Sequence, residues 1–113
     1  ECRINAEDPD SFLPSPGVLK TFHPPAGIGV RVDTAAHNDC VITPHYDSLI
    51  AKIITHGRDR RESISRMKRA LDMTVVEGVQ TTIPLHQSIL RSGEFIGGRL
   101  HTRFLENWKR NSN

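Results

Sequence analysis

Arg3 stands between Glu1 and Asn5 in the opening run Glu1-Cys2-Arg3-Ile4-Asn5-Ala6-Glu7. A positioned guanidinium donates two parallel hydrogen bonds to a carboxylate, a phosphate or a developing oxyanion, and flanking acids hold its fork in place. Without a ligand the same row is a solvated strand face. A second polar cluster is Pro44-His45-Tyr46-Asp47. There Asp47 either orients an arginine or histidine, or closes a turn on its own backbone. His37, Cys40 and His45, with Cys2 as a fourth ligand, would be a metal set, but their spacing lacks the paired grouping of structural zinc sites. The basic set Arg58, Arg60, Arg61, Arg66, Lys68 and Arg69 is interrupted by Glu62 and Asp72 and has no interleaved aromatic residue. It reads as a solvated helix face rather than a nucleic-acid surface. Gly27-Ile28-Gly29 follows two prolines and has no lysine or serine behind it, so it is no phosphate loop, and no nucleophile elbow occurs.

These groups must be positioned by regular elements. Glu1 to Glu7 alternates strictly, which predicts a strand with Cys2, Ile4 and Ala6 facing a core and Glu1, Arg3, Asn5 and Glu7 on the other face. Cys40 to Gly57 reads as the buried axis of the chain. In its apolar half, Leu49, Ala51 and Ile53 alternate with Ile50, Lys52 and Ile54, so both faces are mostly apolar, the pattern of a strand covered on both sides. Short strands are expected at Val18 to Phe22, at Val30 to Val32 and at Thr74 to Val76, with a loop from Asp33 to Asp39. Asp59 followed by Glu62 predicts a capped helix whose inner stripe is Ile64, Met67, Ala70 and Leu71. Thr82-Ile83-Pro84 starts a second helix, with Leu85, Ile89 and Leu90 inward. Gly93 and the Gly97-Gly98 pair are expected to break the chain. A last helix runs from about Thr102 through Phe104, Leu105 and Trp108 before a tail from Lys109 to Asn113 frays. Strands followed by helices make an α+β domain, a small, mostly antiparallel sheet with about three helices packed on it.

The 113 residues suit a single domain spanning 1–113. No apolar run nears the ~18 residues of a membrane helix. Two cysteines, read as thiols, fit a reducing, cytoplasmic setting. Fifteen Lys and Arg against thirteen Asp and Glu leave a net charge of +2, too small to argue for nucleic acid. The first residues carry neither an initiator methionine nor a leader, so the chain is expected to be part of a longer one.

Three collinear stretches carry a family resemblance: Glu1 to Pro9, Phe12-Leu13-Pro14-Ser15-Pro16-Gly17, and Pro44-His45-Tyr46-Asp47-Ser48-Leu49-Ile50-Ala51-Lys52. With Gly29-Val30-Arg31, Arg66 to Leu71 and Thr102 to Glu106, the chain resembles the C-terminal domain of biotin carboxylase over nearly its whole length. The Asn5-to-Pro9 and Leu13-to-Gly17 forms look most like the biotin carboxylase component of acetyl-CoA carboxylase, and pyruvate and propionyl-CoA carboxylases carry related versions. The resemblance implies ATP- and bicarbonate-dependent carboxylation of biotin held on a carrier protein, with magnesium, in a homodimer. It implies that Arg3 contacts the ureido oxygen of biotin, that Asp47 supports the same site, and that Thr102 lies near the adenine of ATP. It also implies that Ile28 and Arg31 lie at the dimer interface, where the family often has an aromatic residue at the Ile28 position. The nucleotide-grasping part and the magnesium and bicarbonate ligands would lie upstream, so this piece alone is expected to be inactive. Asp47 and Arg3 are expected on one side of the domain. A binding or dimerisation module without activity is the reading from a different class.

Overall fold

The computed structural model describes the backbone of residues 1–112 and the side chains of residues 1–108. The alternation at the N-terminus becomes strand β1 (Cys2–Asn5), with Cys2 and Ile4 buried, and Ala6 buried just beyond it. Strands β2 (Gly17–Val18), β3 (Thr21–His23), β4 (Val30–Thr34), β5 (Val41–Ile42) and β6 (Leu49–Thr55) follow. Helix α1 (Arg60–Met73), strand β7 (Val75–Glu77), helices α2 (Ile83–Arg91) and α3 (Gly93–Ile96), and helix α4 (Phe104–Ser112) complete the chain. This is the expected α+β class. Its strands, however, form three small antiparallel sheets: β1-β6-β4, β2-β5 and β3-β7.

The sheet is divided at the stretch expected to be one strand, Val18 to Phe22. Leu19 is fully buried, and its N–H donates to the Cys40 carbonyl, while the next N–H, of Lys20, donates to Glu77. The chain therefore changes partners between adjacent residues, serving β5 on one side and β7 on the other. Other boundaries move less. β4 runs through Asp33 and Thr34, which the polar composition there assigns to a loop. The break expected at Gly93 falls one residue earlier, at the extended Ser92, which ends α2 and caps α3 by accepting from the Phe95 N–H. The backbone from Lys109 to Ser112 continues α4, and the side chains of that tail lie outside the described residues.

β6 is the central strand, paired on one edge with β1 and on the other with β4. Ala51 and Ile53 point into the core, where α1 packs against the strand with Met67, Ala70 and Leu71 buried. Burying each of the larger side chains in this layer contributes about 1.5–3 kcal/mol. The opposite face differs from the expectation. Ile50 is buried, but Lys52 and Ile54 are only half-buried, so β6 is covered on one side and partly open on the other. Helix α1 starts as its sequence dictates, Asp59 Oδ1 accepting from the Glu62 N–H at 2.9 Å. Gly29, with φ of 74°, closes the turn before β4; a Cβ there would lie 2.7 Å from the His56 carbonyl oxygen.

The free edge of β1 is tied to the start of α2. Thr82 Oγ1 accepts from the Asn5 N–H at 3.0 Å and donates to the Arg3 carbonyl at 3.1 Å, and the Thr82 N–H donates to the Asn5 carbonyl at 3.1 Å. Thr82 makes no side-chain cap on its own helix. His86 Nε2 lies 2.8 Å from the same Arg3 carbonyl, so Nε2 carries the proton it donates there.

Thr82→Val keeps the shape and removes the hydroxyl that satisfies two backbone groups. Thermal or urea unfolding should show a loss of about 1–3 kcal/mol, and a variant as stable as the parent would mean that the bridge does not hold β1. Burial pushes the His86 pKa below the ordinary 6.5, outweighing the Arg3 carbonyl bond that favours the charged ring. The folded state thus binds fewer protons than the unfolded one, and His86 lowers stability as pH falls from 6.5 toward its depressed folded value. Unfolding midpoints on either side of pH 6.5 should separate less in His86→Gln, which cannot titrate. An unchanged separation would assign the pH dependence to other groups.

Candidate active site

Arg3 and Asp47, 44 residues apart in the chain, meet at the rim of the β1-β6-β4 sheet, with Arg3 Nη2 and Asp47 Oδ2 3.8 Å apart. Two bonds beyond the ladder bring the segments together. The Ala6 N–H donates to the Ser48 carbonyl at 2.8 Å, and Ser48 Oγ donates to Glu7 Oε1 at 2.7 Å. Asp47 is fixed by its own turn, Oδ1 accepting from the Leu49 N–H at 2.9 Å, while Oδ2 faces Arg3. The aspartate therefore closes a turn with one oxygen and places the other within charge contact of an arginine. The expectation that Arg3 and Asp47 share one side of the domain is met.

The pair is open to solvent, the side chains being 51% and 70% exposed, and contributes little to stability. At 3.8 Å it is a charge contact rather than a hydrogen bond. The Arg3 fork therefore keeps its donors for a ligand, while its backbone is pinned on both edges by β6 and by Thr82 and His86. Such an arrangement, rigid at the Cα and uncommitted at the guanidinium, suits a carbonyl or carboxylate oxygen in which negative charge accumulates. Cys2 beside it supplies no nucleophile, because burial pushes its thiol up to about 11. Both cysteines are free.

The remaining sites fall elsewhere. Arg31 lies on the open face of β4 and donates from Nε and Nη2 to the two oxygens of Asp33, each at 2.9 Å. This fork raises the Arg31 pKa and lowers that of Asp33 through the hydrogen bonds that join them. Ile28, 84% exposed, precedes that strand. Thr102 is exposed in the turn before α4. Among the described residues no three His, Cys, Asp or Glu side chains gather as a metal-holding group, and His37 Nδ1 instead contacts the Asn38 carbonyl. Three members of the basic set are engaged within the fold. Arg58 and Arg66 flank Glu62 at 2.8 and 3.0 Å, and Arg60 donates to the Phe95 carbonyl and lies over the Phe95 ring. Sequence reasoning missed Thr82 and His86 as the residues that hold Arg3. Thr82 is visible in the sequence only as the start of a helix, and nothing local shows that its hydroxyl serves a strand 77 residues away.

Comparison with known proteins covers almost all of these elements. The family model of the biotin carboxylase C-terminal domain matches residues 1–107. Biotin carboxylase 1 of Bacillus subtilis is 54% identical over 109 residues, which are 96% of this chain and 24% of that protein. A pyruvate carboxylase subunit of Methanothermobacter thermautotrophicus is 50% identical over 97% of this chain and 23% of its own length. The crystal structure of the biotin carboxylase domain dimer of Hydrogenobacter thermophilus 2-oxoglutarate carboxylase, in complex with ADP, magnesium ADP and bicarbonate, superposes with a TM-score of 0.91 at 44% identity, over 94% of this chain and 24% of that one. The chain thus spans about a quarter of the length of the relatives it matches. An arginine-bearing strand pinned on both edges, an aspartate turned toward it and a family match running from the first residue past Phe104 lead to one assignment: this chain belongs to the biotin carboxylase C-terminal domain family.

Proposed function

We propose that the chain supplies the biotin-facing arginine of a biotin carboxylase, the enzyme that carboxylates carrier-bound biotin with bicarbonate and ATP. The observation that carries this reading is the geometry of Arg3, whose backbone is clamped on both edges while its fork is left with a single 3.8 Å charge contact. Biotin, when bound, supplies a ureido nitrogen that accepts the carboxyl group and a ureido oxygen that takes up negative charge. The residues here fit that oxygen: Arg3 offers parallel N–H donors, and Asp47 Oδ2 keeps the guanidinium turned toward the rim of the sheet. Because the charge on the oxygen grows only as reaction proceeds, a prepositioned guanidinium lowers the barrier more than it tightens binding. Among the described residues no three His, Cys, Asp or Glu side chains gather around a place for magnesium, and no step here runs through that ion. ATP, magnesium and bicarbonate would be held by a nucleotide-grasping part of the longer enzyme, with Thr102 reaching the adenine. The 113 residues alone would be inactive.

The finer assignment is the first half-reaction of acetyl-CoA carboxylase in cytoplasmic fatty acid synthesis, which the Asn5-to-Pro9 and Leu13-to-Gly17 stretches favour. The comparable likeness to a pyruvate carboxylase keeps pyruvate, with propionyl-CoA, as the alternative final acceptor. The partners are the biotin carboxyl carrier protein and a second copy of the enzyme. Ile28 and the Arg31–Asp33 fork, both exposed, would meet that copy. The exposed Ile28 is also what favours an interaction role for the domain beyond chemistry, and it would act in the same homodimer.

In the full-length enzyme with free biotin as acceptor, Arg3→Ala should lower kcat about 10²- to 10³-fold and leave the KM for ATP within about twofold. An unchanged carboxylation rate would remove Arg3 from the reaction.

A further inference from the structure

Lys52 lies in the middle of β6, directly opposite Arg3 on β1 and directly opposite Asp33 on β4. Residues facing each other across an antiparallel ladder put their side chains on the same face, their Cβ atoms about 4.5–5.5 Å apart. Arg3, Lys52 and Asp33 therefore make one row across the open face of the central sheet. The acid at the end of the row is already engaged, both Asp33 oxygens being held by the Arg31 fork. Among the described residues Lys52 forms no ion pair with any carboxylate, and the one carboxylate at the other end, Asp47, lies beside Arg3. Lys52 thus stands between a cation and an acid: its charge helps to lower the Asp33 pKa, but the hydrogen bonds of that acid go to Arg31, and Lys52 itself is left without a salt bridge among the described residues.

Two observations show that this is not a neutral choice for the fold. Like charges directly opposite in a ladder destabilise it, and Lys52 is half-buried between Ala51 and Ile53, both fully inside the core. An apolar residue at this position would continue the Ile50 and Ile54 pattern without repulsion. A local rule broken in the middle of an otherwise regular strand marks a place kept for function. We propose that Lys52 is the second cation of the Arg3 site, so that the two side chains form a seat for an oxyanion on the reacting molecule. Arg3 makes the directed hydrogen bonds and Lys52 supplies charge from the adjacent strand. This rests on the reading of Arg3 as the ligand-facing arginine. The row also has an end that stops it: with Asp33 held by Arg31, the positive field lies at the β1 side of the sheet, where Arg3 is.

The test uses the full-length enzyme with free biotin, comparing Lys52→Met, Lys52→Arg and Arg3→Ala. Lys52→Met should lower kcat about tenfold, less than loss of a directly bonded donor. It should leave the KM for ATP and the thermal midpoint unchanged, or raise the midpoint as repulsion is relieved. Lys52→Arg should restore most of the rate, and the advantage of the parent over Lys52→Met should narrow as KCl is raised, since the effect is one of charge. A parental kcat in Lys52→Met beside a slowed Arg3→Ala would overturn the role of Lys52 and leave that of Arg3 standing. Parental rates in both would overturn the two together. Equal slowing in Lys52→Met and Lys52→Arg with a lowered midpoint would make Lys52 a packing residue and end the proposal.

Discussion

The arrangement depends on satisfying the backbone of one four-residue strand on both of its edges. β1 meets β6 on one side, and on the other it would present unpaired groups to a half-buried surface, where an orphaned carbonyl or N–H is costly. Thr82 and His86 fill that place. Register follows from it. A slip by one residue would turn Cys2 and Ile4 out of the core and Arg3 into it, so the hydrogen bonds to α2 and the burial of Ile4 choose the same alignment. Only in that alignment does Arg3 stand on the open face, with Asp47 beside it.

The open face of the sheet is built differently from the core face. Beneath it Ile4, Ile53 and Leu71 are almost wholly buried, and their packing tolerates no movement of the strands. Above it charged side chains face one another across the strands, with little else to hold them. Rigidity below and freedom above are complementary. The guanidinium of Arg3 can turn to a ligand without disturbing its Cα, and electrostatic preorganisation requires that combination. The charges of Arg3 and Lys52 are opposed across the ladder, and Asp47 commits one oxygen to its own turn.

What could be read from the chain alone was the part encoded by short-range periodicity. The alternation from Glu1 to Glu7, the apolar run at Leu49 to Ile54, and the Asp59 cap with its Met67, Ala70 and Leu71 stripe all stand in the structure. The likeness of Glu1 to Pro9 and of Pro44 to Lys52 to one family named Arg3 and Asp47, and the fold brought them together. Other features depend on long-range pairing. The change of partner between Leu19 and Lys20 follows from the placement of β5 and β7, and no local pattern encodes it. The half-open outer face of β6 was hidden because Ile50 and Ile54 are apolar, and apolar residues alone do not reveal which face is left uncovered. Lys52 likewise gains meaning only from the register that sets it opposite Arg3.

Helix α2 holds the strand that carries Arg3, so under the proposed function it would act on the chemistry through β1. A double-mutant cycle on the kcat of the full-length enzyme, combining Thr82→Val with Arg3→Ala, tests this most directly. Thr82→Val should slow the parent enzyme but have little further effect once Arg3 is gone. Equal slowing by Thr82→Val in both backgrounds would contradict it.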